Sequence, residues 1–236
     1  MFFVVYARIY GQAFVNALAA IGRNLWTLVL PMALVIAFLT LAALVGGLGV
    51  VGGFLLSFAM SAGFSIYTYF VGQVVAKNRV GLGELRTSIG AYFWSWLNLF
   101  FVLWIIDLIL GPMRMTADGQ RLRTALFMME LVILNAAPEV IYLKGSSGGL
   151  ETIQRSFVFL QECWIEWFVP NALILGFVWL VISGTIPLNA LPMPSVTVPV
   201  LAGALLHLVM VYRGFLFQSL DGSTHRQRMF RFRGKL

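Results

Sequence analysis

The chain has 236 residues, of which 60% are hydrophobic and only 11% charged, with a mean hydropathy of +0.90. Soluble domains carry about 25% charged residues, so the composition excludes an ordinary soluble domain and points to the membrane class. The formal charge of +7 fits Lys and Arg held on cytoplasmic segments rather than nucleic-acid binding, and the single cysteine, Cys163, excludes an internal disulfide and any cysteine metal cluster.

The apolar runs are continuous and near the roughly 20 residues that a membrane helix needs, whereas a membrane barrel shows short alternating strands. The N-terminal segment is less apolar. There Phe14, Leu18, Ile21 and Leu25 fall on one face of a helix that leads into Trp26. Membrane helices are predicted over 25–48 and 50–76. The run from Leu25 passes straight into a second one, too long for the apolar part of a cleavable signal, so the N-terminus is expected to be mature. The second helix carries small side chains every four residues, at Gly49, Gly53, Ser57, Ser61 and Ser65. Such a stripe lets another helix approach closely, and packing within the bundle is expected ahead of a dimer contact.

A second amphipathic segment, Gly81 to Trp96, keeps Leu82, Leu85, Ile89, Phe93 and Trp96 on one face. Helices are predicted over 92–111 and 124–143, separated by Gly111-Pro112 and the polar stretch up to Arg123. Asp107 and Glu130 lie within these helices near the same end. An ionised group in hydrocarbon costs at least about 2.5 kcal/mol, so the two are expected to meet each other or to pair with Arg114, Arg121 or Arg123. Asn135 and Glu139 flank Pro138. A proline inside a membrane helix frees a carbonyl, which Asn135 is placed to help satisfy, and Lys144 or Arg155 is expected to neutralise Glu139.

Lys144 to Gly149 breaks the chain before a third amphipathic segment, with Leu150, Ile153, Phe157, Leu160 and Trp164 on one face. Helices are predicted over 164–187 and 197–217, with Pro187, Pro192, Pro194 and Pro199 stiffening the connection. Glu162 and Glu166 stand four residues apart, a spacing that places them on one helix face. Neither belongs to a Glu-x-x-His motif, so no metal is expected. Asn135, Glu139, Glu162 and Glu166 make up the candidate functional polar cluster. His207 falls in the middle of the last helix, where a hydrogen bond to a neighbouring helix is expected. In the tail, Arg226, Arg228, Arg231, Arg233 and Lys235 interleave with Phe230 and Phe232. Cations beside an anionic leaflet contribute about 1 kcal/mol each, so these residues are candidate contacts for lipid or an acidic partner.

The second and third segments align at one offset of 68 residues: Gly81/Gly149, Leu82/Leu150, Ser88/Ser156, Trp96/Trp164 and Phe100/Phe168. The expected architecture is therefore an all-α polytopic membrane protein of six transmembrane helices. It is built as three repeats, about 1–76, 77–143 and 144–217, each an amphipathic cytoplasmic helix followed by a hairpin. The six-helix domain spans 1–220 and a basic cytoplasmic tail 221–236. With the N-terminus inside, thirteen of the sixteen Lys and Arg residues fall on the cytoplasmic side, which places both termini there.

The Arg155-Ser156-Phe157 core before a hairpin, echoed in Arg86-Thr87-Ser88-Ile89, resembles the membrane domain associated with bacterial glycerophosphoryl diester phosphodiesterases. That resemblance implies a bacterial inner-membrane location and a six-helix plan, and it supplies no catalytic residue. With no nucleotide loop, nucleophile elbow or zinc motif present, the chain reads as non-catalytic and without a cofactor. The expected role is a membrane subunit or scaffold that binds anionic headgroups at the cytoplasmic face and a protein partner or second copy, with no nucleic acid. The alternative is the permease subunit of an exporter driven by a separate ATPase. A lipid-modifying enzyme using Glu139, Glu162 or Glu166 ranks third.

Overall fold

The computed structural model describes residues 2–77, 79–112, 116–182, 197–223, 227 and 230. These residues are helical throughout their ordered elements, and no strand occurs among them. The helices are α1 (Phe2–Gly22), α2 (Leu30–Val45), α3 (Gly49–Ala76), α4 (Leu85–Ala91), α5 (Phe93–Leu110), α6 (Ala117–Ile133), α7 (Ala137–Lys144), α8 (Gly149–Ile182) and α9 (Thr197–Leu220). Short 3-10 turns occupy Leu25–Val29, Gly46–Leu48, Leu82–Glu84 and Leu134–Ala136.

Five helical stretches among the described residues are long and apolar enough to cross a membrane: Val4–Gly22, Leu25–Ala76, Phe93–Leu110, Ala117–Lys144 and Thr197–Leu220. They mark an integral membrane protein. In α2 only Leu30 and Pro31 are buried, although the helix is apolar on every side. A helix of that kind suits hydrocarbon rather than water. Pro31 sits in the first turn, where its missing N–H leaves no helical bond unmade. The α2–α3 turn passes through Gly49 at φ 57°, a conformation side-chain-bearing residues avoid.

The chain divides into two compact units. The first comprises Met1–Ile36, Val71–Val80 and Glu162–Leu236. Here α1 packs on α9, burying Val5, Ile9, Ala13, Ala17 and Ile21 on one side and Val211, Leu216, Phe217 and Leu220 on the other. The buried stripe of α1 is thus a line of small and β-branched residues. Phe14, Leu18 and Leu25, expected on a shared apolar face with Ile21, stay exposed. Trp167 is fully buried, edge-on to Phe217 and with the Arg213 guanidinium 5.0 Å from its ring centroid.

The second unit comprises Ala37–Phe70 and Gly81–Gln161. Its core holds Trp96, Leu99, Ala137 and Ile141, with Tyr92, Phe100, Leu103, Leu134 and Ile153 packed around them. Phe64 lies against both Trp96 and Phe100, at ring separations of 4.7 and 5.4 Å. Trp96, expected on one face with Leu82, Leu85 and Ile89, parts from those exposed residues: it is a core residue that donates to Thr68 Oγ1 at 3.1 Å.

Two predicted helices change form. The stretch 124–143 is not one helix: α6 ends at Ile133 and α7 begins at Ala137 after a 3-10 turn. Pro138 therefore stands in the first turn of α7, where it frees no carbonyl for Asn135 to satisfy. The predicted 164–187 helix belongs to α8, which begins at Gly149 and bends at Cys163; residues 183–196 lie outside those described.

The bend is one of three. Asn24 (φ −134°, ψ 43°), Tyr92 (φ −127°, ψ 13°) and Cys163 (φ −132°, ψ 19°) interrupt the helical path with nearly the same backbone geometry. Each stands between an amphipathic segment and a more apolar one.

Candidate functional site

The segments leading into the second and third bends carry their polarity the unusual way round. In the 82–91 stretch Leu82, Leu85 and Ile89 face outward while Ser88 is fully buried. In the first part of α8, Leu150 and Phe157 face outward while Ser156 is fully buried. The match is close: Leu82 and Leu150 are 67% and 70% exposed, and Ile89 and Phe157 are both 45% exposed. On a water-facing helix these leucines would be the buried ones. Their outward position makes two apolar surfaces.

Side chains fix both segments from their polar side. Ser65 Oγ donates to the Ser88 carbonyl at 2.7 Å and accepts the Tyr92 N–H at 2.9 Å, so one hydroxyl holds α4 and its bend together. Tyr69 Oη donates to Glu84 at 2.7 Å. Before α8, Ser146 and Thr152 hydroxyls meet at 2.9 Å, and Thr152 donates to the Gly148 carbonyl. Glu151 reaches back to the Gly148 N–H, the pattern of a capping box. That N–H, and the Arg155 guanidinium 2.7 Å away, hold the Glu151 carboxyl below the usual carboxylate range. Arg155 also donates to the Lys144 carbonyl, so it serves Glu151 and the end of α7.

The candidate polar residues fall in different settings. Asn135 and Glu139 belong to the second unit, in the turn before α7 and in its first helical turn. Glu139 is fully buried. Glu162 and Glu166 belong to the first unit, and the bend at Cys163 separates them: Glu162 is exposed and Glu166 buried, so they do not present one face.

Glu166 has a second importance, through its backbone. Pro170 lacks the N–H that would ordinarily bond the Glu166 carbonyl four residues back. Tyr10 Oη donates to that carbonyl at 3.1 Å, and Tyr6 Oη reaches the Glu166 carboxylate at 3.4 Å. Tyr10→Phe removes the donor and is expected to cost about 1–2 kcal/mol, read as a lowered melting temperature in detergent. Tyr6→Phe, at a longer contact, is expected to cost less. The signal for this pair was present in the sequence as two tyrosines four residues apart, but nothing local connects them to a proline 160 positions later.

The small-residue stripe splits. Ser61 and Ser65 are fully buried within the second unit, whereas Gly49, Gly53 and Ser57 are exposed. Of the expected ion pairs, Asp107 and Arg123 meet at 2.6 Å, while Arg121 pairs with Asp118 within its own helix. Arg114 and the tail residues Arg226, Arg228, Arg231, Phe232, Arg233 and Lys235 lie outside the described residues; Phe230 is described and exposed. Among the described residues no group of three or more His, Cys, Asp and Glu side chains is placed to hold a metal.

No known protein family, curated protein or solved structure matches the chain.

Proposed function

We propose that the chain is a non-catalytic membrane subunit or scaffold of a bacterial inner membrane, which engages headgroups and a protein partner, or a second copy, through elbows lying in the interfacial layer. The reading takes six crossings as three repeats of elbow plus hairpin, with both termini and the basic tail in the cytoplasm. One observation carries it. The outward leucines and aromatics around inward Ser88 and Ser156 suit a segment whose surroundings are the acyl boundary rather than water. The three bends of like geometry at Asn24, Tyr92 and Cys163 support the repeat.

Cysteine placement tests the reading, because the sole native thiol, Cys163, is buried. In the full chain in liposomes, spin labels at Leu82→Cys and Leu150→Cys are expected to collide with oxygen far more than with a water-soluble nickel chelate. Lys77→Cys and Lys144→Cys are expected to react with an impermeant thiol reagent from the same side. Water-like collision at both leucines removes the elbows from the membrane, and opposite-side labelling overturns the topology. Mild-detergent purification then addresses the role. A stoichiometric non-ATPase complex supports a subunit, and a stoichiometric ATPase transfers the chain to the exporter reading.

A further inference from the structure

A cleft of about 500 Å³ opens between α5 and α6, lined among others by Asp107, Leu110, Arg123, Thr124, Phe127 and Glu130. Three charges meet there. Arg123 and Asp107 form an ion pair at 2.6 Å, yet their side chains keep 38% and 50% of their surface accessible. Glu130 is half-buried on the same wall, and its side chain makes no ion pair or hydrogen bond among the described residues. Among the described lining residues, Arg123 balances Asp107, and Glu130 adds one formal negative charge inside an apolar helix pair. A carboxylate in that setting demands a cation or a proton.

We propose that the cleft binds the headgroup of an aminophospholipid, a primary ammonium two carbons from a phosphate diester. The ammonium donates to Glu130, the phosphate accepts from the open face of Arg123, and the chains pass along the apolar wall at Phe127. The ligand chemistry matches the cleft in sign: one cationic donor for the Glu130 carboxylate, and one anion for the Arg123 guanidinium on the same lining. A quaternary headgroup carries no N–H to donate, so it makes the weaker match. The apolar walls select the lipid over a free phosphoethanolamine. The proposal rests on the chain being embedded in a bilayer and is independent of which face is cytoplasmic and of what the elbows contact.

The test uses the full chain in nanodiscs of phosphatidylcholine with phosphatidylethanolamine as a minor component, followed by native mass spectrometry of the retained lipid. Wild type is expected to retain phosphatidylethanolamine about tenfold above its bulk share, the ratio that one charge-assisted hydrogen bond supplies. Glu130→Gln, nearly identical in shape, is expected to erase the preference while eluting and melting like wild type. Should that variant fail to fold, Glu130→Asp keeps the charge but withdraws it by one methylene, and a reduced preference is expected. Equal retention of both lipids by wild type, or an unchanged preference in the variant that folds, overturns the proposal. Displacement by soluble glycerophosphoethanolamine overturns the lipid as the source.

Discussion

Replacing Gly149 with alanine is expected to destabilise the chain by about 2–3 kcal/mol, at the upper part of the range for overpacking. The first residue of α8 lies directly on the backbone of α5. A Cβ built there would stand 2.5 Å from the Asn98 carbonyl oxygen, 2.8 Å from its carbon and 2.9 Å from Val102 Cγ2. A flexible side chain can move aside, but a backbone carbonyl within a membrane helix cannot do so without loosening its own hydrogen bond. Asn98 is further committed, because its Nδ2 donates to the Ser147 carbonyl at 3.1 Å. The contrast is Gly81, the aligned position 68 residues earlier. Its φ of −102° is open to any residue, and an added Cβ would meet only Gly83 N, at 4.0 Å. Gly81→Ala is therefore expected to stay within about 0.5 kcal/mol of wild type. Melting temperatures of both variants in one detergent check the pair. Equal effects at the two glycines would remove the close approach of α8 to α5.

Asn24→Ala is expected to cost a similar amount, about 2–3 kcal/mol, because it strands buried polar groups on two segments. Asn24 is buried and stands at the first bend. Its Oδ1 accepts the Val80 N–H at 2.9 Å and its Nδ2 donates to the Ala20 carbonyl at 2.9 Å. Trp26 Nε1 donates to the other side of the same residue, the Val80 carbonyl, at 3.2 Å. Val80 is thus gripped at both its N–H and its C=O, in a part of the chain where water is scarce. Alanine leaves the Val80 N–H without its acceptor. Asn24→Asp keeps an acceptor for Val80 and loses only the donor to Ala20, so its loss is expected to be smaller. The ordering wild type, Asp, Ala in melting temperature is the check; a neutral Ala variant would show that the grip on Val80 is not needed.

The helical class, the apolar runs and the interruptions at glycine and proline were legible in the sequence, because each depends on local composition. So were the landmarks Leu82/Leu150 and Ser88/Ser156, whose exposures agree. The alignment fails past the third bend for a physical reason. Tyr92 and Cys163 are 71 residues apart rather than 68, so the buried Trp96 corresponds to the buried Trp167, and the exposed Trp164 is not its counterpart. Three extra residues turn a helix through about 300°, close to a full turn, so periodicity looks unbroken across the insertion. The same local blindness misassigned Pro138. A proline reads alike inside a helix and in its first turn, and the distinction came from the 3-10 turn at Leu134–Ala136. The carbonyl that a proline does free, at Glu166, is served by a tyrosine from the opposite end of the chain, which no window of sequence can show.

Tyr10 and its acceptor are separated by 156 positions. A ribosome adding about 5–20 residues per second delivers Glu166 roughly 8–30 s after Tyr10. Through that interval α1 has neither α9 nor the Glu166 carbonyl to rest against, while the segments of the second unit emerge one after another. The first unit, which also takes in Val71–Val80, is thus complete only once its C-terminal segments have emerged. The contact between Tyr10 and Glu166 can form only after every segment of the second unit has been synthesised.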